Sequence, residues 1–140
     1  LSRDAIRALY LNPGSYAAST TNSVPYWWLD AWYPGVVDYE TASVSDTDGD
    51  GYDARVEYFT GSDPTDAASV FQVADARADG DDFVITWLSE EGGWFTISAA
   101  TNLTPASWSP VALSIPGQHG YTSYTTTVEN AASFYQIELE

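Results

Sequence analysis

The residues best suited to chemistry are carboxylates that recur at every second position in one short stretch of the chain. This stretch, residues 46–57, reads DTDGDGYDARVE. Its spacing places five residues at positions that supply oxygen ligands in a twelve-residue EF-hand loop: Asp46, Asp48, Asp50, Tyr52 and Glu57. Gly51 stands at the sixth position, where such a loop turns sharply, and Tyr52 would contribute its backbone carbonyl. Since Ca²⁺ prefers six to eight oxygen ligands, the sequence predicts a calcium site here.

A solvated acidic turn is the alternative interpretation of this stretch. Closely spaced carboxylates repel one another unless a cation lies between them, which favours the metal site. Asp53 stands at the eighth position, where paired EF-hand loops have Ile, Leu or Val, and the chain has no second complete loop. We therefore expect a single structural site and not a calcium sensor, which needs paired loops and a Met-rich groove. Asp63 and Asp66 could form a second, weaker site, but turn and cap roles are favoured for them.

Other candidates for chemistry are weak. His119 is the only histidine, and it lies in the turn-like segment PGQHG, with no nucleophile-elbow serine near it. The adjacent Glu90 and Glu91 would point to opposite faces of a strand. Phosphate-loop, dinucleotide and zinc patterns are missing from the sequence. We expect no enzyme, although a glycosidase pair of carboxylates from distant strands stays open.

The composition limits the partners of the chain. Its 140 residues include 20 acidic residues, four arginines and no lysine, for a net charge of −16. Nucleic acids and anionic membranes are bound by clustered Lys and Arg, so neither is an expected partner. No apolar run is long enough to predict membrane insertion. The lack of cysteine excludes disulfides and thiol chemistry. The chain begins at Leu1 and has no methionine, which we interpret as a processed or excised segment.

Short helices are predicted around the acidic loop. Residues 24–35 (VPYWWLDAWYPG) read as a helix with Pro25 in its first turn. Trp28 and Trp32 share one helical face, which favours core packing over an exposed platform for sugars. Residues 36–45 are predicted to be a loop.

Secondary structure is also predicted for residues 53–60 and for the N-terminal residues. Residues 53–60 are predicted to form a helix that Gly61 caps. Residues 1–11 fit either a short helix or a strand. Together with the small polar residues that follow, they make residues 1–23 an N-terminal arm or linker.

From Val70 onward the apolar residues alternate with polar ones, which is typical of strands. Six segments show this period: 70–77, 83–89, 94–99, 108–114, 121–128 and 134–139. The fold class predicted is mainly β, a six- to seven-stranded Ig/fibronectin-like sandwich preceded by a small helical unit with one EF-hand-like calcium loop. The predicted divisions are the arm (1–23), the helical calcium-loop unit (24–69) and the β-sandwich (70–140).

Residues 24–140 resemble a known kind of module. VPYWWLDAWYPG followed by DTDGDGYDARVEYFTGSDPTDAAS is similar to the thrombospondin type 3-like (dockerin-like) calcium module of large secreted bacterial surface proteins. Ser62 replaces the usual Thr of its closing motif, and Gln136 replaces the usual Arg in the last strand. The resemblance implies a secreted, extracellular, calcium-stabilised and non-catalytic module at the bacterial cell surface, without implying one ligand.

Two functions remain open at this point. The first is a structural subunit that self-associates, or forms a filament, by adding residues 6–11 of its arm to a neighbour's sheet edge. The alternative is a carbohydrate-binding module that uses aromatic residues of its β half: Trp87, Trp94, Trp108, Tyr121 and Tyr124. Trp94 is the best candidate for exposure, because it alternates with Phe95. Asn102 lies in a glycosylation sequon, and Ser and Thr in residues 19–23 could carry O-glycans.

Overall fold

The computed structural model describes residues 18–127 and 134–140. The chain divides into two compact units. The first comprises the described residues up to Tyr58 together with Ser62–Val70, and the second comprises Phe59–Gly61 and Phe71–Glu140. The predictions for residues 1–11 lie outside the described residues. Within the described ranges, none of the helices has the length and apolar character needed to cross a membrane.

Three short helices lie between residues 18 and 60, the part of this region that the structure describes. Helix α1 is Tyr26–Trp32, α2 is Tyr39–Ser43 and α3 is Ala54–Thr60. Pro25 immediately precedes α1 with φ −67° and ψ 139°. Helix α1 buries Trp27, Trp28 and Leu29, which confirms a helix with a core-packing face in this segment.

Helix α2 corrects the prediction of a loop over residues 36–45. Asp38 caps this helix, since its carboxylate accepts hydrogen bonds from Thr41 N at 3.1 Å and from Thr41 Oγ1 at 2.8 Å. The same hydrogen bonds lower the pKa of Asp38. A helix of five residues is too short to show an apolar period, so only its cap could have indicated it.

Residues 18–23 are hydrogen-bonded into the first unit. Ser19 forms an isolated bridge with Pro25, and Thr20 is buried. Thr21 N donates to both carboxylate oxygens of Glu40, at 3.0 and 3.1 Å, and Thr21 Oγ1 donates to Glu40 Oε2 at 2.7 Å. The last part of the predicted arm is thus fixed against α2.

Six strands follow among the described residues, and they confirm the mainly β prediction. They are β1 (Val73–Asp79), β2 (Asp82–Ser89), β3 (Trp94–Ala100), β4 (Ser109–Pro116), β5 (Gly120–Thr127) and β6 (Phe134–Leu139). All pair antiparallel in two three-stranded sheets, with strand orders β1-β2-β5 and β4-β3-β6. Each strand differs from its predicted segment by a few residues at most.

One hydrophobic cluster contains side chains from both sheets. Its buried centre is Ile85 and Trp87 of β2 with Phe95 and Ile97 of β3. The rings of Trp87 and Phe95 meet edge to face, with centroids 5.6 Å apart. Partly buried residues surround this centre: Phe71, Phe83, Ala112, Ile115, Tyr124, Tyr135, Ile137 and Leu139. Ile85 and Trp87 are two residues apart, so they lie on the same face of β2, and this face is buried.

Candidate metal centre

The acidic loop lies between α2 and α3, and its aspartates converge. One carboxylate oxygen from each of Asp46, Asp48 and Asp50 lies within 4.8 Å of the others, and this group could hold a metal ion. Asp46 shapes the loop by accepting from Gly49 N at 2.8 Å and from Gly51 N at 3.0 Å. Both glycines have positive φ, +79° and +96°, a conformation that costs other residues strain. The loop therefore closes around the carboxylate of its first residue.

In Asp48 and in Asp50, one carboxylate oxygen accepts a hydrogen bond from the loop backbone and the other oxygen does not. Asp48 Oδ1 accepts from Asp50 N at 3.2 Å, and Asp50 Oδ1 accepts from Tyr52 N at 2.8 Å. The Oδ2 atoms of both aspartates are buried and have no hydrogen-bond partner in the described structure. The local backbone thus fixes these two side chains with one oxygen each left for a ligand.

Glu57 is the deepest acidic residue of this group. Its side chain is 1% exposed, and neither carboxylate oxygen has a hydrogen-bond partner among the described residues. The pKa of Glu57 is raised to about 8, mainly by burial and then by the negative charges of Asp48, Asp50 and Asp46, in that order. A buried carboxylate without donors is costly, and a cation is the group that would compensate it. Four buried carboxylate oxygens thus fit a cation.

The start of α3 sets the position of Glu57. Asp53 caps this helix, because its Oδ1 accepts from Val56 N at 3.0 Å and its carbonyl accepts from Glu57 N at 3.0 Å. This role gives a physical reason for an aspartate at the eighth loop position. Gly61, with φ +74°, follows the last residue of α3, as predicted. The helix therefore holds Glu57 one turn beyond its cap.

Tyr33 is a neighbour of the site that sequence reasoning missed. Burial raises the pKa of the Tyr33 hydroxyl, and the charges of Glu57 and Asp48 add to the increase. Tyr33 directly follows α1 and lies well before the loop in sequence, so no local spacing indicated it. Tyr52, the predicted carbonyl ligand, lies beside Asp50 in the loop with a side chain 40% exposed.

Asp63 and Asp66 act as turn residues, as the favoured interpretation predicted. Asp63 Oδ1 accepts from Thr65 N and Thr65 Oγ1, at 2.9 and 2.7 Å, and Asp66 Oδ1 accepts from Ala68 N at 3.0 Å. Among the described residues, neither belongs to a group of three possible metal-ligating side chains. The charge of Asp63 still contributes, last of the four aspartates, to the raised pKa of Glu57.

The first unit also has a shallow cleft of about 540 Å³. It is lined by residues 33–38 with Thr41, Ala42 and Ser45. Its one carboxylate, Asp38, already caps α2. The cleft therefore brings together no acid–base pair.

In the second unit, His119 has a partner that the sequence did not indicate. Its Nδ1 lies 2.9 and 2.8 Å from the two carboxylate oxygens of Glu90, which is 5% exposed. Ser89 is fully buried, and its hydroxyl contacts Gln118 O and Thr122 Oγ1 at 2.8 and 2.7 Å. These contacts join the β2–β3 and β4–β5 connections. Because Ser89 is inaccessible to solvent, we interpret these hydrogen bonds as structural contacts that hold the two connections together.

The aromatic candidates of the β half differ in exposure. Trp87 is fully buried in the core, and Tyr124 is partly buried against it, so neither presents a free ring face. Trp94 is 48% exposed, which confirms the expectation from its alternation with Phe95. Trp108 and Tyr121 are 38% and 58% exposed. Three of the five candidate aromatic side chains are thus accessible to a ligand.

Comparison with known proteins gives no independent assignment. No family model, no curated protein and no solved structure matches the chain. The resemblance to the thrombospondin type 3-like module stays a prediction.

Proposed function

We propose that this chain is a non-enzymatic, calcium-stabilised structural module that acts outside the cell, as a cell-surface or fibre-forming subunit. The proposal depends above all on Glu57, whose buried carboxylate without hydrogen-bond donors lies in the field of three converging aspartates. We also propose that the two sheets form an Ig/fibronectin-like sandwich, since both contribute to one core cluster. In the same proposal, α2, α3 and the loop between them form an EF-hand-like unit.

The donor set fits Ca²⁺ better than other metals. The proposed ligands are the carboxylates of Asp46, Asp48, Asp50 and Glu57 with the carbonyl of Tyr52. They are all hard oxygen donors, which suit Ca²⁺ and Mg²⁺, whereas Zn²⁺ and Cu²⁺ favour nitrogen and sulfur. A carboxylate at the twelfth loop position that can give both oxygens favours the larger shell of Ca²⁺. When bound, the ion would neutralise the carboxylates and join the loop to α3.

A structural role follows from what the cation would do for folding. An ion that binds only the folded state stabilises it by mass action, by about 2.7 kcal/mol at a hundredfold excess over Kd. The chain lacks cysteine and so has no disulfide to supply such stabilisation. Calcium sites of extracellular modules commonly have Kd values of about 10⁻⁴–10⁻³ M, which suits a permanently loaded site outside the cell.

Calcium binding is tested directly by titration calorimetry of the metal-free full chain. We expect one Ca²⁺ bound per chain, a clear increase in Tm with calcium, and weaker binding of Mg²⁺. The variant D48A should lose most of the affinity, whereas D81N, an exposed aspartate outside the loop, should keep it. Equal melting of the wild type with calcium and with chelator would refute the structural role.

Self-association through the N-terminal arm is the second part of the proposal. Arg3 and Arg7 are two of the four basic residues in the chain, while nearly all acidic residues lie after the arm. A weakly basic arm is thus suited to bind a strongly acidic neighbouring copy. Among the described strands, β1 and β5 lie at the edges of one sheet and β4 and β6 at the edges of the other, and each could accept a further strand.

Deletion of residues 1–12 tests the arm separately from the metal. We expect the full chain to form oligomers or fibres by light scattering and negative-stain microscopy, and the truncated chain to be monomeric. The charge-reversal variant R3E/R7E is a matched control that keeps the arm length and should also weaken assembly. Assemblies that persist in both variants would show that the arm does not mediate self-association. A monomeric full chain would show that the chain does not form fibres.

The alternative function, carbohydrate binding, is favoured by one observation. Trp94 is exposed on a strand that lies in the middle of its sheet, a rigid position for an aromatic ring.

A further inference from the structure

The outer face of the β4-β3-β6 sheet combines an exposed tryptophan with ordered carboxylates. Phe95 and Ile97 point into the core, so Trp94 and Thr96 lie on the opposite face of β3. Glu138 of β6 pairs with Thr96 and shares this face. We call this surface the Trp94 face, and it consists of Trp94, Thr96, Val111, Leu113, Glu138 and Glu140.

The backbone on both sides holds Trp94 in place. Strand β3 is the central strand of its sheet, and Trp94 pairs with Pro116 of β4. On the other side, Glu140 N donates to Trp94 O at 2.8 Å. The ring is 48% exposed although its backbone is fixed. The backbone that carries the ring is thus preorganised, so a ligand does not have to order this part of the chain when it binds.

Ordered hydrogen-bond acceptors lie beside the ring. Glu140 Oε1 accepts from Thr96 Oγ1 at 2.7 Å and from Ser114 N at 2.8 Å. These hydrogen bonds lower the pKa of Glu140, so its carboxylate is ionised at neutral pH. Glu138 Oε1 accepts from Gln136 Nε2 at 2.6 Å. Glu140 Oε2 also accepts from Ser114 Oγ at 3.2 Å. Each carboxylate is thus oriented by one protein contact or more, and both residues are exposed to solvent, where a ligand hydroxyl can reach them.

Strand β4 gives the same face an apolar side. Ala112 and Ile115 pack against the core cluster, so Val111 lies on the outer face, with Leu113. Val111 is 45% exposed and Leu113 is 66% exposed. The Trp94 face therefore has an aromatic ring, an apolar edge and a row of acceptors.

Charge decides which kind of ligand fits. No basic residue lies in the three strands of this sheet, and the chain as a whole carries a net charge of −16. A polyanion would be repelled, whereas a hydroxyl-rich neutral polymer supplies donors to carboxylates without adding charge. A pyranose ring also has an apolar face, which can lie flat on an aromatic side chain.

We propose that the Trp94 face binds a neutral polysaccharide, with one pyranose ring stacked on Trp94 and its hydroxyls donating to Glu138 and Glu140. This site is independent of the proposed calcium site, because it uses none of the same residues. It needs no conformational change in the sheet, since each contact starts from a position that the strands already fix.

The test is affinity electrophoresis of the full chain in native gels that contain a soluble β-glucan, a mannan or a xylan, with sedimentation on insoluble cellulose and chitin. We expect retention by at least one of these neutral polymers and none by alginate, a polyanion. W94A should weaken binding about thirtyfold, the cost typical of a central tryptophan. W94F should retain part of the affinity, and E140Q should weaken it about tenfold.

The control is Y121A, which removes an exposed aromatic ring from the other sheet and should bind like the wild type. No retention by any neutral polymer would overturn the proposal, as would equal losses in W94A and Y121A. Retention by alginate would also overturn it. A wild-type dimer that W94A dissociates, with no polysaccharide bound, would assign this face to a second copy of the chain.

Discussion

Glu57 differs from the exposed acidic residues of this chain because folding removes its carboxylate from water. It has no hydrogen-bond donor within the described structure, and the neighbouring aspartates oppose its ionisation. In the metal-free protein, this residue destabilises the fold. In the calcium-bound protein, the same carboxylate would be a ligand. Its effect on stability therefore depends on the cation, and substitutions can measure this dependence.

The first prediction is that E57Q stabilises the metal-free protein but destabilises the calcium-bound protein. Without metal at neutral pH, Glu57 must take up a proton on folding because its folded-state pKa is about 8. The amide removes this cost, so we expect stability to increase by about 1–3 kcal/mol, or several degrees in Tm. With saturating calcium, the same variant should melt below the wild type because a ligand is lost. Scanning calorimetry in both conditions measures this. E91Q removes a negative charge from an exposed residue and should change the free energy of unfolding by no more than about 0.5 kcal/mol in either condition.

The second prediction concerns pH without metal. The folded-state pKa of Glu57 is about 8 and its ordinary value is 4.5, so between these values the folded chain holds a proton that the unfolded chain has lost. The stability contribution from this proton is fully present below pH 4.5 and is lost as the pH rises toward 8. The decrease in free energy of unfolding can reach about 1.4 kcal/mol per pH unit.

Thermal melts at pH 5.5, 6.5 and 7.5, after metal is removed on a chelating resin, test this slope. E57Q should lack this dependence of stability on pH. Identical pH profiles for wild type and E57Q would show that Glu57 ionises normally.

At the scale of elements, short caps hold the site together. Helix α3 has seven residues, too few to be stable alone, and it begins where the acidic loop ends. Asp53 accepts from Val56 N and so fixes the first turn, which carries Glu57. Asp38 performs the same role for α2. The geometry of the proposed site thus depends on helix starts as much as on the ligands.

The third prediction is that D53A weakens both the fold and the metal site. Loss of an N-cap costs about 1 kcal/mol, so Tm should fall by a few degrees even with chelator present. Calcium affinity should also fall several-fold, because Glu57 is less firmly positioned. D66A is the matched control, since it removes a comparable turn-capping carboxylate outside the loop. Its calcium affinity in calorimetry should equal that of the wild type.

At the scale of the whole molecule, acidic charge dominates. The net charge of −16 in 140 residues opposes compaction through self-repulsion. Counter-charges are few, and Arg77, one of the four arginines, pairs with Asp75 on an exposed strand. A cation bound among four acidic side chains would reduce repulsion where it is most concentrated.

The fourth prediction follows from this charge. Without metal, raising NaCl from about 0.02 to 0.5 M should increase Tm, because salt screens repulsion between carboxylates. With calcium bound, the increase should be smaller, since the densest cluster is already neutralised. Thermal melts with KCl in place of NaCl control for sodium binding. An equal salt response with and without calcium would place the repulsion elsewhere in the chain.

The sequence by itself determined the features that depend on neighbours along the chain. The acidic loop, the helix that follows it and the strand faces of β2 arise from spacings of a dozen residues or fewer, and local geometry fixes these. The exposure of Trp94 also followed from alternation with Phe95. Helix α2 could not be predicted in this way, because five residues are too few to show an apolar helical period.

Only the tertiary structure decided which distant residues meet. Tyr33 comes into the field of Glu57, His119 pairs with Glu90 across two connections, and Glu140 joins Thr96 and Ser114. It also decided that Glu57 is buried, which gives this one glutamate a pKa near 8. Burial and long-range pairing result from the packing of the whole fold, and no local pattern of residue types encodes them.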